Sequence, residues 1–331
     1  MVTGRRDHSE GFRRQIESIR FHIARAEVRW SERYVPPARP AEVVMDFGCG
    51  VQFTPHLMVE AMGVFRALGV DTVGVVGPQW CCGQPYRSDG KPGSGDNMAD
   101  SSFGRMTAFQ PHAMVQWCGA AQVQFGERAL RMFGESENVT HVTAFLAKRL
   151  EELGEQVPWR RRLDARVLVH EKSKDPMPFT DRGPVMRSYD LVPAMLERIP
   201  GVTVVGEIRA LDRGLPCEAD FARLSASEVE EARDELARRA REAGADVVVC
   251  EHHLCFREWG KLRSDALPVR HYTSLLASAL DVEAADRYHD NWELGDVDAI
   301  VERARPQWES WGTSPAEARA IATKLFARRA G

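Results

Sequence analysis

Short apolar runs that alternate with helical patterns constrain the fold of this chain more than any other feature. The runs lie at 43–47, 70–76, 113–117, 166–170, 201–205 and 246–250. A helical pattern follows most of them, and the order of the first three returns in the last three. Buried strands that alternate with helices are typical of parallel sheets. The sequence therefore predicts an α/β fold made of two pseudo-repeated parallel-sheet units.

Helical patterns flank these two units. Residues 11–34 carry apolar side chains at helical spacing and predict one amphipathic helix. The tail from residue 283 is polar and helical, with Trp292, Trp308 and Trp311 as packing anchors. A length of 331 residues suits about two domains. We predict a helical N-terminal extension (1–40), a first α/β unit (41–160), a second α/β unit (165–282) and a helical C-terminal extension (283–331).

Charge and hydropathy exclude several classes of function. The formal net charge is −4 at pH 7, and acids and bases are interspersed, which argues against a nucleic-acid partner. No segment approaches the ~20 apolar residues of a transmembrane helix, and the first ten residues have no apolar signal core. We therefore expect a cytoplasmic protein whose thiols stay reduced.

Four of the seven cysteines follow predicted strands of the first unit. Cys49 follows the first strand, Cys81 and Cys82 follow the second, and Cys118 follows the third. Because the carboxyl ends of parallel strands meet at one edge of a sheet, three such loops can converge on a single point. Four thiolates are the usual ligands of an iron–sulfur cluster or a structural zinc. The sequence therefore predicts a metal centre at this edge.

The cysteine pattern C-x31-CC-G-x34-C resembles the cysteine-rich CCG domain found in the disulfide-cleaving subunit of heterodisulfide reductase and in the iron–sulfur subunits of glycolate and lactate oxidases. The resemblance covers roughly residues 41–280; it is strong for the first of the two repeats and faint for the second. The matching segments are Phe47-Gly48-Cys49, Pro55-His56-Leu57, Ala67-Leu68-Gly69-Val70-Asp71 and Trp80-Cys81-Cys82-Gly83. In heterodisulfide-reducing members, each full repeat holds a noncubane [4Fe–4S] cluster on five cysteines.

The first repeat departs from the family at one position. Its closing C-x-x-C reads Cys118-Gly-Ala-Ala121, so the last cysteine is missing. Four family positions remain, and the resemblance implies one [4Fe–4S] cluster, noncubane or cubane, on these residues: Cys49, Cys81, Cys82 and Cys118. Trp80 and Trp117, which directly precede cysteines, are expected to pack beside the cluster and limit water.

The second repeat departs further. The family's His-Asp-Pro-Cys reads His170-Glu-Lys-Ser173, only Cys217 remains of the paired cysteines, and the closing motif reads His252-His-Leu-Cys255. Cys217, His252 and Cys255, with His253 or Cys250, form a candidate second site for zinc or one iron, since imidazole and thiolate suit both metals. The alternative is a degenerate repeat that is kept for structure.

Three classes of function stay open at this point: thiol or disulfide redox catalysis, electron transfer within a larger oxidoreductase, and a non-redox zinc-stabilised scaffold. We favour the first two jointly, as an oxidoreductase or a subunit of one, acting on a small thiol or disulfide. The sequence has no flavin fingerprint and no compact C-x2-C-x2-C run, so a partner subunit would supply electrons.

A methyltransferase that uses S-adenosylmethionine is a less favoured alternative. Gly48-Cys49-Gly50 after a strand resembles the glycine motif of those enzymes, but Gln52 replaces the next glycine and no acidic residue ends the next strand. Other expectations concern the neighbourhood of the cysteines. We interpret His56 and His112 as helix-surface histidines. Residues 84–104 predict a Gly/Ser/Asp-rich loop with at most a short helix, and a mobile glycine-rich part at Gly90–Gly95.

Overall fold

Two four-stranded parallel sheets form the centre of the molecule. The structure is a computed structural model that describes residues 8–136, 138–171, 190–209, 221, 224–262 and 267–326. The first sheet contains β1 (Val43–Asp46), β2 (Thr72–Val75), β3 (Ala113–Gln116) and β4 (Val139–His141), in the order β2-β1-β3-β4. The second contains β5 (Ala165–Glu171), β6 (Val202–Arg209), β7 (Val247–Cys250) and β8 (Val269–His271), in the order β6-β5-β7-β8.

The two sheets have the same topology, strand for strand. Every neighbouring pair is parallel, and β1 and β5 hold equivalent positions inside their sheets. The four strands of the first sheet all precede those of the second in the chain. The architecture confirms the predicted α/β class with two parallel-sheet units.

Helices connect the strands and extend both ends of the chain. The first unit carries α2 (His56–Ala67), α3 (Gln84–Ser88), α4 (Pro92–Thr107), α5 (Gly119–Phe133) and α6 (Val142–Leu153). The second carries α7 (Val192–Leu196), α8 (Ala226–Glu242), α9 (His253–Trp259) and α10 (Tyr272–Ala279). The extensions consist of α1 (His8–His22) with a 3-10 helix (Arg25–Glu32), and of α11 (Arg287–Leu294), α12 (Val297–Arg303), α13 (Arg305–Glu309) and α14 (Pro315–Phe326). No helix in these described segments is long and apolar enough to cross a membrane.

The prediction of one continuous helix over 11–34 is wrong. Helix α1 ends at His22, and Ala24 is extended, with φ −71° and ψ 144°. The Glu27 carboxylate accepts a hydrogen bond from the Ala24 N–H at 2.9 Å, which starts a new helical segment in the manner of a capping box. Local capping therefore overrides the apolar periodicity that spans the break.

The prediction of a loop with at most a short helix over 84–104 is also wrong, because the two helices α3 and α4 occupy most of this segment. Pro92 stands at the start of α4, where a missing N–H costs no hydrogen bond. Phe103 and Met106 on the same helix are buried in the core. Tertiary packing thus supports a helix in a stretch whose Gly, Ser and Asp content disfavours one.

A continuous core joins the two units. Phe65 stacks on Phe145 within the first unit, and the Thr143 hydroxyl lies 3.0 Å from the Tyr272 hydroxyl across the boundary. In the C-terminal extension, Trp308 is buried. Trp311 donates a hydrogen bond to the Ile23 carbonyl at 2.8 Å, and Trp292 packs on Phe326. These contacts confirm the three tryptophans as packing anchors.

Candidate metal centre

The three loops that carry the first-repeat cysteines leave neighbouring strands at the same edge of the first sheet. The order of the sheet places β1 between β2 and β3, so the loop of Cys49 lies between the other two. Gly48 turns the chain after β1 with φ +62°, and its N–H donates to the Asp46 carboxylate at 2.9 Å. This turn fixes the backbone position from which the Cys49 side chain extends.

The four predicted ligands come together at this edge. The thiols of Cys49 and Cys81 are hydrogen-bond partners, and so are those of Cys81 and Cys82. Cys118 joins from the third loop, since a Cβ placed on Gly48 would lie 3.8 Å from the Cys118 Cβ. Cys81 and Cys82 are buried, whereas Cys49 and Cys118 are partly exposed. The group therefore has a closed side and a side that solvent can reach.

The turn at Cys81-Cys82-Gly83 is held tightly by helix α4. Gly83 has φ +77°, and a Cβ on it would lie 2.0 Å from the carbonyl oxygen of Gly95. The Ser102 hydroxyl donates to the carbonyl of Cys81 at 2.9 Å. The glycine of the CCG motif thus permits both a left-handed backbone and a contact between two backbones. Gly95 belongs to this contact, so the expectation of a mobile glycine-rich loop at Gly90–Gly95 is wrong.

Burial and mutual contact favour the protonated form of these thiols. The hydrogen bond with Cys81, together with burial, raises the pKa of the Cys49 thiol well above its usual range. At Cys81 the hydrogen bond with Cys49 lowers the pKa, but the contact with Cys82 and burial outweigh it and raise the pKa to about 12. A bound cation reverses this preference because it stabilises the thiolate.

The donor set at this edge fits an iron–sulfur group. The last residues of β1 and β3, Asp46 and Gln116, lie side by side in the register and are fully buried. Among the described residues, neither amide atom of Gln116 has a hydrogen-bond partner. An amide N–H two residues from Cys118 is the kind of donor that hydrogen-bonds a ligand sulfur or a cluster sulfide.

Binding of a single metal ion requires a different arrangement of ligands from binding of a cluster. Across the described segments, no group of three or more His, Cys, Asp or Glu side chains surrounds a point suited to one metal ion. A cluster binds its thiolates through different irons, so its ligands lie farther apart than those of a single ion. The six described cysteines are thiols and form no disulfide.

The predicted second site is only partly within the described residues. Cys217 and Ser173 lie outside them. His252 ends the loop after β7 and is buried, and Cys255 is buried in the core on α9. A metal at Cys217, His252 and Cys255 stays a prediction.

Backbone angles support the alignment of the two repeats. Cys118 is the N-cap of α5 with φ −110° and ψ 130°, and His252 is the N-cap of α9 with φ −112° and ψ 129°. Cys255 therefore corresponds to Ala121, and both are fully buried. The segments that begin at Cys118 and His252 therefore start their helices with the same backbone turn, although their side chains differ.

Sequence reasoning missed histidines that the second unit brings to the first. A Cβ on Gly50, next to Cys49, would lie 2.7 Å from the His253 Nε2. Trp117, next to Cys118, has its ring 6.3 Å from that of His253 and stacks on His271 at 5.4 Å. The neighbours of the two partly exposed cysteines are therefore covered by histidines of the other unit.

A repeated sequence could have drawn attention to His271. The tripeptides His141-Val142-Thr143 and His271-Tyr272-Thr273 begin at the last residues of β4 and β8. In each, the histidine is an N-cap whose Nδ1 accepts a hydrogen bond from the threonine N–H at 3.3 Å. Burial lowers the pKa of His271 to about 3, so this ring is neutral.

The flanking residues have mixed outcomes. Trp80 and Trp117 are both buried directly before their cysteines. His112 is exposed, as predicted, but it lies in a bend directly before β3 and not on a helix. The interpretation of His56 as a surface histidine is wrong, because the C-terminal extension covers it and places Asp286 at 3.4 Å from its Nδ1. Burial lowers the pKa of His56 to about 4, although Asp286 opposes this shift.

No family model matches this chain, and neither does any curated protein.

Proposed function

We propose that this chain is an iron–sulfur protein that holds one [4Fe–4S] cluster on Cys49, Cys81, Cys82 and Cys118. It would work as an oxidoreductase, or as a component of one, of the type found in the disulfide-cleaving subunit of heterodisulfide reductase. The observation that carries the proposal is the contact of thiols from separate loops. The thiol of Cys49, in the loop after β1, contacts the thiol of Cys81, in the loop after β2. Cys118 packs on the turn that precedes Cys49.

The residues around the four cysteines suit the binding of a charged group. When bound, a cluster supplies one-electron transfer at its irons. The buried tryptophans before Cys81 and Cys118 limit water beside these two cysteines, which favours a low local dielectric constant. The buried amide of Gln116, two residues before Cys118, has no hydrogen-bond partner among the described residues and could donate to a ligand sulfur. The cysteines and the Gln116 amide would thus hold the cluster, and the tryptophans would limit its contact with solvent.

The open side lies toward Cys49 and Cys118, the two partly exposed cysteines. Ala121 stands at the family's fifth cysteine position and offers no ligand. We propose that a small thiol or disulfide, or an electron-donor partner subunit, reaches the cluster from this side. The partner is required for turnover because this sequence shows no flavin fingerprint and no compact ferredoxin-type cysteine run.

The first test is the metal content of protein purified without oxygen. Iron, acid-labile sulfide and zinc are measured per chain, with an electron paramagnetic resonance spectrum of the reduced sample. We expect about four irons and four sulfides, as one [4Fe–4S] cluster requires. Zinc alone, or no metal, would leave a non-redox scaffold and end the redox proposal.

Serine substitutions then test the ligands. Cys81→Ser and Cys82→Ser should each lose most of the iron or convert the cluster, because the hydroxyl is a poor iron ligand. Cys250→Ala in the second sheet is the matched control and should keep the four irons and four sulfides of the cluster on the first unit. Full iron and an unchanged absorption spectrum in both serine variants would show that the ligands lie elsewhere.

A further inference from the structure

A cavity of about 480 Å³ lies beside the loops that carry the cysteines. Its walls come from α1 and the following 3-10 helix, from Trp311 of the C-terminal extension, and from the segments around Gln52 and Gly77–Gln79. This volume falls within the range of small-molecule sites. Three separate parts of the chain therefore meet around a space large enough for a small organic ligand.

The floor of this cavity is tied to the cysteine loops. Gln52 is buried, and its amide nitrogen donates to the carbonyl oxygen of Cys49 at 3.3 Å. Gln79 stands two residues before Cys81, and its carbonyl accepts hydrogen bonds from Ser102 and Arg105. A ligand on this floor would sit next to the backbone that positions two of the four thiols.

The cavity wall carries one uncompensated positive charge. The guanidinium groups of Arg20 and Arg25 lie 6.0 and 5.8 Å from the ring centroid of Trp311. Glu32 pairs with Arg25 through two contacts of 2.7 and 3.1 Å. Within the described part of the chain, Arg20 has no carboxylate partner. Arginine is well suited to bind a carboxylate, and Trp311 holds it by a cation–π contact.

Apolar side chains stand beside this charge. Ile16 and Ile19 from α1 and Val76 from the end of β2 line the same cavity. A single unpaired guanidinium matches a singly charged carboxylate better than a phosphate dianion. The lining therefore fits a carboxylate group that is attached to a short apolar chain.

We propose that this cavity binds the carboxylate end of a small organic thiol or disulfide and presents its sulfur to the cysteine site. The inference rests on the proposed function for the identity of the sulfur substrate. The carboxylate requirement rests on Arg20, Trp311 and the isoleucines alone.

The test is isothermal titration calorimetry on the full chain purified without oxygen. The probes are dithiodipropionate, suberate, in which CH2–CH2 replaces S–S, the dicationic disulfide cystamine, and inorganic phosphate. Dithiodipropionate and suberate should bind, and cystamine and phosphate should not. Arg20→Gln should lower the affinity for both carboxylates about tenfold, because one charge-assisted hydrogen bond is lost. Arg14→Gln, an exposed arginine of the same helix α1 outside the cavity, is the control and should change nothing.

Several results would overturn the assignment. The cavity would not be a carboxylate site if cystamine bound as well as dithiodipropionate, if phosphate bound, or if the Arg20→Gln protein kept the affinity of the natural protein. Iron and sulfide are counted in the same samples, which separates the two proposals. Full cluster content without carboxylate binding overturns the cavity assignment alone, whereas Arg20-dependent binding in a chain that takes up no iron supports the carboxylate site and ends the redox function.

Discussion

Two glycines in the cysteine loops are constrained in different ways. Gly83 needs a left-handed backbone and also touches the backbone of Gly95. Gly50 is limited only by neighbouring side chains, since a Cβ there would meet the His253 ring at 2.7 Å and Leu254 at 3.1 Å. The first constraint belongs to the fold of one loop, and the second to the contact between the two units.

Gly83→Ala should destabilise the protein by about 1–3 kcal/mol or more, because a positive φ strains an alanine and the carbonyl of Gly95 cannot yield. The free energy of unfolding is measured by urea denaturation. Gly104→Ala on α4 is the control, since open space surrounds this position and helix propensity favours alanine. Equal stability of the Gly83→Ala and natural proteins would contradict the backbone contact.

Gly50→Ala should also destabilise, by about 1–3 kcal/mol from overpacking against His253. The same substitution should cost clearly less in a His253→Ala background, because the obstructing ring is gone. A double-mutant cycle in urea measures this coupling. Additive effects of the two substitutions would mean that His253 does not lie against Gly50.

At the scale of helices and strands, apolar runs in the sequence predict the strands correctly where successive residues of a strand are all buried. Val43, Val44 and Met45 predicted β1, and the cysteines after such runs could be placed at one sheet edge from the sequence alone. Helix α4 could not be predicted this way, because its support comes from Phe103 and Met106 in the tertiary core rather than from local propensity.

The helices α2 and α10 meet across the unit boundary through a buried carboxyl group. Glu60 on α2 accepts a hydrogen bond from the Ser274 hydroxyl at 2.6 Å. Burial raises the pKa of Glu60 from 4.5 to about 7, although Ser274 and Arg270 oppose the shift. An acid whose folded pKa is raised contributes stability below its unfolded pKa and loses it as pH rises through the folded value.

The natural protein should therefore lose about 2–3 kcal/mol of stability relative to Glu60→Gln between pH 4.5 and pH 8. The amide stays neutral over this range and can still accept the hydrogen bond from Ser274. Urea denaturation at several pH values measures the difference. Glu230→Gln, on the exposed face of α8, should follow the natural protein throughout. Parallel pH profiles for the natural protein and Glu60→Gln would show that Glu60 is ionised in the folded state at pH 4.5.

At the scale of the whole molecule, the two units share strand order and cap angles but differ in side chains. Equivalent N-caps carry cysteine in one unit and histidine in the other. The pairing of strands into two sheets was accessible from the order of elements in the sequence. The approach of His253 and His271 to the cysteine loops was not, because it depends on how one unit packs on the other.

We expect the protein to remain folded without the proposed cluster. A chain of this size buries a large core, and its second unit forms the same turn at His252 that the first forms at Cys118. Circular dichroism of chelator-treated protein should keep its far-ultraviolet spectrum and one cooperative thermal transition, with a midpoint lowered only by the lost binding energy. Loss of the transition would mean that the metal drives folding.

The equal cap angles at Cys118 and His252 also bear on the ancestry of the chain. If the two halves arose by duplication of one gene, a turn that forms with either side chain would let one copy change its ligands without losing its shape. Natural selection could then alter the chemistry of that copy separately from its architecture. The second half would in that case be a record of a site that changed while its framework was retained.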